Sequence, residues 1–342
     1  MLTYYTRDHL LHVSAGELAR GELVPAFEKP ERAEIIRARI EEVGLGPIAP
    51  PRRYPHEALT RVHDAGLVHF LETGYAEWEA AGRTGDALPF SWISPGMRDD
   101  VVPNCIDGKL SYYTFDVGAP LTKTSWAAIR GSADVALSGA EDISSGAGSV
   151  FALCRPPGHH ASTRVFGGYC FLNNAAIAAQ YLLDRGAARV AVLDVDYHHG
   201  NGTQEIFWGR ADVLMISIHA DPHEEYPFLS GHADEIGSGA GEGYTVNLPL
   251  ALGSAWDVWG QALETACRRI DSYAPDAIIV SLGVDTYKLD PISQFRLDHE
   301  DYLRMGERIA KLGRPTLFVM EGGYAVAEIG INAVNVLQGF AA

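Results

Sequence analysis

Short apolar runs, rich in β-branched residues, recur through the second half of the chain, and most stop at a cluster of polar residues. They cover residues 149–154, 190–195, 213–218, 277–282 and 316–320. Runs of this length and composition predict strands buried on both faces. Residues 244–248 predict a further strand. The glycine-rich segment before it, 237–243, is no phosphate loop, because a dinucleotide fingerprint must open a helix and here a strand follows. Helical periodicity fills the intervals at 126–144, 174–184, 256–274 and 301–311. Earlier in the chain, Ile35, Ile36, Ile40 and Val43 share one face of a helix over 31–43, and 58–72 gives a second, shorter helical pattern. Strands separated by helices imply a parallel sheet with right-handed crossovers. The expected fold is therefore α/β, an open, mostly parallel sheet with helices on both faces. Residues 82–124 break the pattern. Pro89, Pro95, Pro103 and Pro120 alternate there with glycines and with Trp92, Tyr112, Tyr113 and Phe115. An irregular stretch of that length reads as a lid, a binding loop or an oligomer contact. No repeat or linker divides the chain, so residues 1–342 are read as one domain, with a long irregular loop at about 82–124.

Charge narrows the possible partners. The formal net charge is −17, from 44 acids and 27 bases. That balance argues against nucleic acid, whose phosphates need a surplus of Lys and Arg. It would concentrate cationic small molecules near a site, or simply keep the protein soluble. No apolar run is long enough to span a bilayer, so no membrane partner is expected. The first residues lack a basic segment followed by an apolar one, so no signal peptide is read. Cys105, Cys154, Cys170 and Cys267 are scattered without paired spacing and are expected to be reduced thiols of a cytoplasmic protein.

The candidate chemistry gathers where strands end. After 149–154 come Arg155-Pro156-Pro157-Gly158-His159-His160. After 190–193 come Asp194, Asp196, His198 and Asn201. Asp285 follows 277–282, and Glu321-Gly322-Gly323-Tyr324 follows 316–320. Taken alone, each ending could be a helix cap or a rim aromatic. Four at one edge of a parallel sheet mark the edge where open α/β sheets bind ligands. Asp196 and His198, two apart in extended backbone, point to the same side. With Asp285 they would offer two carboxylates and an imidazole to a divalent metal, leaving positions open for water and substrate. The adjacent His159 and His160 suit a general base and an electrostatic partner flanking a metal-bound water. Asp194 and Asn201 suit the acceptors that orient those imidazoles. Tyr324, on a glycine-flexed turn, suits an oxyanion donor. With no Gly-x-Ser-x-Gly elbow present, the set predicts metal-assisted hydrolysis of an amide.

These motifs, together with Gly167-Gly168-Tyr169-Cys170-Phe171-Leu172-Asn173-Asn174 and Ser281-Leu282-Gly283-Val284-Asp285-Thr286, resemble the histone deacetylase superfamily from about residue 1 to the end. Within it the chain looks most like the bacterial acetylpolyamine branch, to which the segment around Glu17 and the insertion also point. The resemblance implies an arginase-deacetylase type of fold and one zinc per chain on Asp196, His198 and Asp285. It implies His160 as general base and acid, His159 as its electrostatic neighbour, and Tyr324 as the carbonyl-polarising group. His159 would pair with Asp194 and His160 with Asn201, where class I relatives carry Asp. Tyr169 and Tyr226 would line the substrate tunnel, with Glu17 and Asp107 as acids near its mouth. A third acid expected near Gly118 is out of register, Asp116 being the nearest, and Arg164 falls in a rim loop. Structural potassium or sodium would bind at Asp194, Asp196, His198, Ser217 and Ile218, and at carbonyls of Phe207, Arg210, Val213 and Tyr244. The implied protein is a homodimer whose insertion narrows the channel. The implied reaction is zinc-dependent deacetylation of acetylpolyamines or similar small amines by attack of metal-activated water. The alternative is a protein lysine deacetylase of the same chemistry. A binding protein that has lost catalysis and an arginase-like di-manganese hydrolase are weaker readings. Asp/His/Asp sets also accept iron or manganese.

Overall fold

A computed structural model describes residues 1–19 and 21–342. In chain order the strands and α-helices are β1 (Leu2–Tyr4), β2 (Glu17–Ala19), β3 (Glu22–Val24), α1 (Glu31–Val43), β4 (Ile48–Ala49), α2 (Glu57–Thr60), α3 (Ala65–Ala80), α4 (Ile106–Tyr113), α5 (Ser125–Ser144), β5 (Ser149–Ala152) and α6 (Asn174–Asp184). There follow β6 (Val190–Asp194), α7 (Asn201–Phe207), β7 (Val213–Ala220), β8 (Thr245–Leu250), α8 (Trp256–Tyr273), β9 (Ala277–Leu282), α9 (His299–Ala310), β10 (Thr316–Met320) and α10 (Ile329–Ala341). Among the described residues, eight strands form one sheet in the order β4-β1-β5-β10-β9-β6-β7-β8. Every neighbouring pair in it is parallel. β2 and β3 form a separate antiparallel hairpin.

The alternation of side chains along each central strand divides the core into two layers. Val190 and Val192 of β6, Ile279 of β9 and Val319 of β10 face α3, α4, α5 and α6. Ala191, Leu193, Val280 and Phe318 face the opposite way, onto α1, α8, α9 and α10. These strand residues are fully buried, and each large aliphatic side chain so buried contributes roughly 1.5–3 kcal/mol. α8 supplies its share through Trp259, Leu263, Ala266, Cys267 and Ile270, a single stripe at helical spacing.

Strand order sets where the site lies. From β6 the chain proceeds outward through β7 to β8, then returns to the other side of β6 for β9 and continues to β10. The direction of winding thus reverses between β6 and β9, and a crevice opens beyond their carboxyl ends at such a point. Asp196 and Asp285 follow those two strands.

The structure departs from the sequence expectations at several elements. The pattern at 58–72 is two helices, separated by a break at Asp64, whose carboxylate caps α3 through the N–H groups of Gly66 and Leu67. The insertion carries the short helix α4. β7 continues through His219 to Ala220. β1, β4, the β2–β3 hairpin, α7 and α10 had not been anticipated; β1 and β4 are too short to leave a periodic signal.

Candidate active site

Asp196, His198 and Asp285 converge beyond β6 and β9, with donor atoms all within 4.8 Å of one another and all three residues buried. His198 Nδ1 lies 3.0 Å from Asp285 Oδ2 and 3.3 Å from Asp196 Oδ1. Main-chain N–H groups fix the carboxylates: Gly322 donates to Asp196 Oδ2 at 2.8 Å and Tyr197 to Asp285 Oδ1 at 2.8 Å. The backbone approaches this closely because the neighbouring residues are glycines. A side chain at Gly283 would collide with the Asp196 carboxylate, and one at Gly322 would come within 2.6 Å of both Asp196 and Asp285. Two buried carboxylates side by side demand a positive charge. Burial and the neighbouring Asp196 raise the Asp285 pKa to about 7. Burial opposes a charged His198, yet its hydrogen bonds to both aspartates lift it to about 10. A divalent cation would satisfy that demand, and two carboxylates with one imidazole form a donor set of the right hardness and number, with positions left open.

Beside this cluster stand two imidazoles, their ring centroids 4.0 Å apart. His159 Nδ1 lies 3.0 Å from Asp194 Oδ2, a fully buried carboxylate that also accepts from the Asp196 N–H. Burial disfavours a charged His159, but Asp196 and Asp194 outweigh it and raise its pKa to about 10. His160 Nδ1 instead lies 2.7 Å from the neutral Asn201 Oδ1. An amide oxygen only accepts, so Nδ1 carries the proton and Nε2 keeps a lone pair. Burial, then the charges of His159 and His198, hold His160 well below the usual histidine range. The Asp194 carboxylate thus favours the charged form of one imidazole and the Asn201 amide the neutral form of the other. Asn201 reaches His160 from the first turn of α7, which follows the loop carrying His198.

The floor and walls of the cavity complete the arrangement. It encloses about 610 Å³ and is lined by His160 and His198 at its base, with Tyr324, Tyr169 and Tyr226 around them. Tyr169 donates its hydroxyl to Glu17 Oε1 at 2.9 Å, and Tyr226 donates to Asp116 Oδ2 at 2.7 Å. The Tyr324 hydroxyl has no protein partner among the described residues, although the residue is only 6% exposed. Its ring lies under the Arg32 guanidinium, 4.7 Å from the centroid. Four carboxylates line the cavity, Glu17, Glu22, Asp116 and Glu225, and among the described residues no Lys or Arg does.

The sequence model of the histone deacetylase domain matches residues 26–340. The chain belongs to the histone deacetylase domain family. A relative from Pseudomonas aeruginosa named acetylpolyamine amidohydrolase 2 is 61% identical over 340 residues, covering 99% of this chain and 98% of its own length. The acetylpolyamine amidohydrolase of Mycoplana ramosa is 48% identical over 342 residues and covers both chains completely. A crystal structure of the acetylpolyamine aminohydrolase from Burkholderia pseudomallei superposes with a TM-score of 0.96 at 40% identity, covering 100% of this chain and 99% of that one. Histone deacetylase 15 of Arabidopsis thaliana is 39% identical over 232 residues, 67% of this chain and 42% of its own length.

Within this deacetylase domain most of the singled-out residues meet at one place. Asp107 does not. It lies on α4, its carboxylate gripped by Arg83, and is absent from the cavity lining. A strong cation beside it neutralises the acid expected near the mouth. Arg164 likewise turns away from the cavity, donating to Asp99 O at 2.7 Å and stacking on Tyr112. Asp116 does line the cavity, held also by the N–H groups of Gly118 and Gly168. Ser217 lies opposite Asp194 in the β6–β7 register, its hydroxyl 2.7 Å from His219 Nδ1, with Ile218 buried beside it. Phe207, Arg210, Val213 and Tyr244 gather near the start of β7, where Phe207 O accepts from the Arg210 N–H and Tyr244 O from the Met215 N–H. The sequence reading missed Glu321, whose buried Oε2 accepts from the Gly158 and His159 N–H groups at 2.6 and 3.2 Å. It also missed Glu225, Arg32 and Asp290. Only the tertiary fold brings these to the site, although Glu321 stood in the quoted Glu-Gly-Gly-Tyr motif.

Proposed function

We propose that this chain is a zinc-dependent amidohydrolase that removes the acetyl group from acetylated polyamines or similar small acetylated amines. One observation carries the reading. An imidazole bonded to Asp194, an imidazole bonded to Asn201 and a phenol with no protein partner among the described residues surround a buried Asp/His/Asp donor set at the base of an acid-lined cavity. A zinc ion held by Asp196, His198 and Asp285 would supply Lewis acidity towards the amide carbonyl and a more acidic water. His160 Nε2 takes the proton of the attacking water and delivers it to the departing amine nitrogen. His159, whose charged form Asp196 and Asp194 favour, stabilises the negative charge that builds on the reacting carbon's oxygens. Tyr324 donates its hydroxyl to the developing oxyanion. Acetate and a free amine are the products. Tyr169 and Tyr226 wall the channel, and the carboxylates of Glu17 and Asp116 favour a substrate bearing a second, cationic amine.

The names of the Pseudomonas and Mycoplana relatives support the polyamine class. A protein lysine deacetylase is the second reading, supported by the likeness to histone deacetylase 15. The exposed Phe90, Met97 and Val101 of the insertion suit a homodimer contact that would narrow the channel against protein substrates. Structural potassium or sodium is assigned to the positions around Ser217 and Tyr244. The cytoplasm is the proposed compartment, on the strength of four cysteines without a disulfide; no helix among the described residues is long and apolar enough to cross a membrane. The test is a turnover profile over acetylputrescine, acetylcadaverine, acetylspermidine and an acetyl-lysine peptide. The reading expects kcat/KM to be highest among the acetylpolyamines. A preference for the peptide would replace it with the second reading.

A further inference from the structure

The turn that carries Tyr324 has little rigidity of its own. Gly322 and Gly323 precede it, and packing requires both to be glycine. A side chain at Gly322 would run into the Asp196 and Asp285 carboxylates, and one at Gly323, where φ is +130°, would come within 2.6 Å of Val284. Two consecutive glycines leave the backbone free to take many conformations. Something outside the turn must therefore hold it. From one side Arg32 does so, donating to Glu321 O at 2.5 Å and Gly323 O at 2.6 Å.

On the other side stands Asp290. It lies in the loop after β9, five residues beyond Asp285, and is 7% exposed. Its Oδ2 accepts from the Tyr324 N–H at 2.6 Å and the Ala325 N–H at 3.1 Å, and its Oδ1 from the Ile292 N–H at 3.1 Å. It forms no ion pair among the described residues. Burying a carboxylate without a counter-charge is costly, and here the compensation comes from main-chain donors. Two of those three belong to the tyrosine and the residue after it. The third belongs to Ile292, which lines the cavity. One carboxylate thus joins the cavity wall after β9 to the Tyr324 turn after β10.

We propose that Asp290 is a positioning residue that holds Tyr324 at the reacting carbonyl without touching the substrate. The proposal rests on the role assigned above to Tyr324. Displacement of a catalytic group by an ångström costs turnover on the order of a hundredfold. Asp290→Ala is therefore expected to lower kcat by about 30-fold, and Asp290→Asn, whose amide oxygen still accepts, by about threefold, with KM within about threefold of wild type. Metal content per chain stays unchanged. In a Tyr324→Phe background both substitutions cost less than about twofold, because the group they position is gone. If Asp290→Ala does not fold, the same cycle is read with Asp290→Asn. A second readout is the ¹⁹F resonance of 3-fluorotyrosine placed at position 324, in metal-loaded and metal-free protein. The line should shift or broaden in either Asp290 variant. Equal losses in both backgrounds, a change in KM alone, or an unmoved ¹⁹F line would each overturn the proposal. If wild-type protein hydrolyses no acetylated amine, it is the proposed function that fails, and the ¹⁹F comparison still decides whether Asp290 holds Tyr324.

Discussion

Removing one hydroxyl from Tyr324 and one from Tyr226 should have opposite consequences, although both rings line the same cavity. Tyr324→Phe deletes a phenol that donates to no protein group among the described residues. The folded protein therefore loses nothing measurable, and Tm should stay within about a degree of wild type. If the hydroxyl serves the oxyanion, its loss withdraws one preorganised donor, which costs about 10²–10³ in kcat, or roughly 3–4 kcal/mol. Because the interaction forms only in the transition state, kcat and kcat/KM should fall together while KM stays put. Tyr226→Phe removes a donor from Asp116, which lies in the cavity wall with its pKa raised by burial and keeps, among the described residues, only the Gly118 and Gly168 N–H groups. A half-buried carboxylate short of a partner costs about 1 kcal/mol. That loss should lower Tm measurably, while turnover stays within about tenfold of wild type. Acetate release from acetylputrescine and thermal melts of the two variants, side by side, are sufficient. A Tyr324→Phe enzyme keeping more than about a third of its kcat would refute the oxyanion assignment. So would a Tyr226→Phe enzyme that matched its loss without melting earlier.

His160→Ala should lower kcat by about 10²–10⁴-fold with the circular dichroism spectrum unchanged, since it removes the proton acceptor but no backbone contact. Stability should fall in mild acid through His63, away from the metal ligands. Its Nε2 accepts from the Asn173 N–H and its Nδ1 donates to Ser162 O, each at 2.9 Å, and burial lowers its pKa to about 4. The unfolded chain takes up this proton near pH 6.5 and the folded one does not. Stability is therefore full above about 6.5 and is lost as pH falls towards 4, by about 3 kcal/mol at most. In urea titrations over that range His63→Gln should flatten the slope by about 1.4 kcal/mol per pH unit relative to wild type. Identical slopes would show that His63 is not the group responsible.

The parts of the site legible in the sequence were those that follow a strand within a few residues. Parity alone put Asp196 and His198 on one side, and the abrupt end of β6 marked the edge where Asp285 also emerges. The histidine pair and Tyr324 came from the same rule applied to β5 and β10. What stayed hidden depends on contacts between segments far apart in the chain. Asp290 binds a turn 34 residues away, and Arg32 reaches carbonyls nearly 300 residues distant. The Arg83 partner of Asp107 was equally hidden, because an acid in an insertion carries no sign of the arginine that will pair with it. β1 and β4, at one edge of the sheet, were missed because two or three residues show no alternation. The short hairpin carrying Glu17 has both leucines exposed, so its pattern does not announce a core-facing strand.

The central claim is that one divalent ion on Asp196, His198 and Asp285 is what the acetyl-amide chemistry requires. Metal-free protein titrated with zinc, followed by acetate release from acetylputrescine, tests it most directly. The account predicts activity rising linearly to a break at one equivalent per chain, and none at any ratio in Asp285→Ala. A break at two equivalents, or acetate release that persists in the metal-free protein, would contradict it.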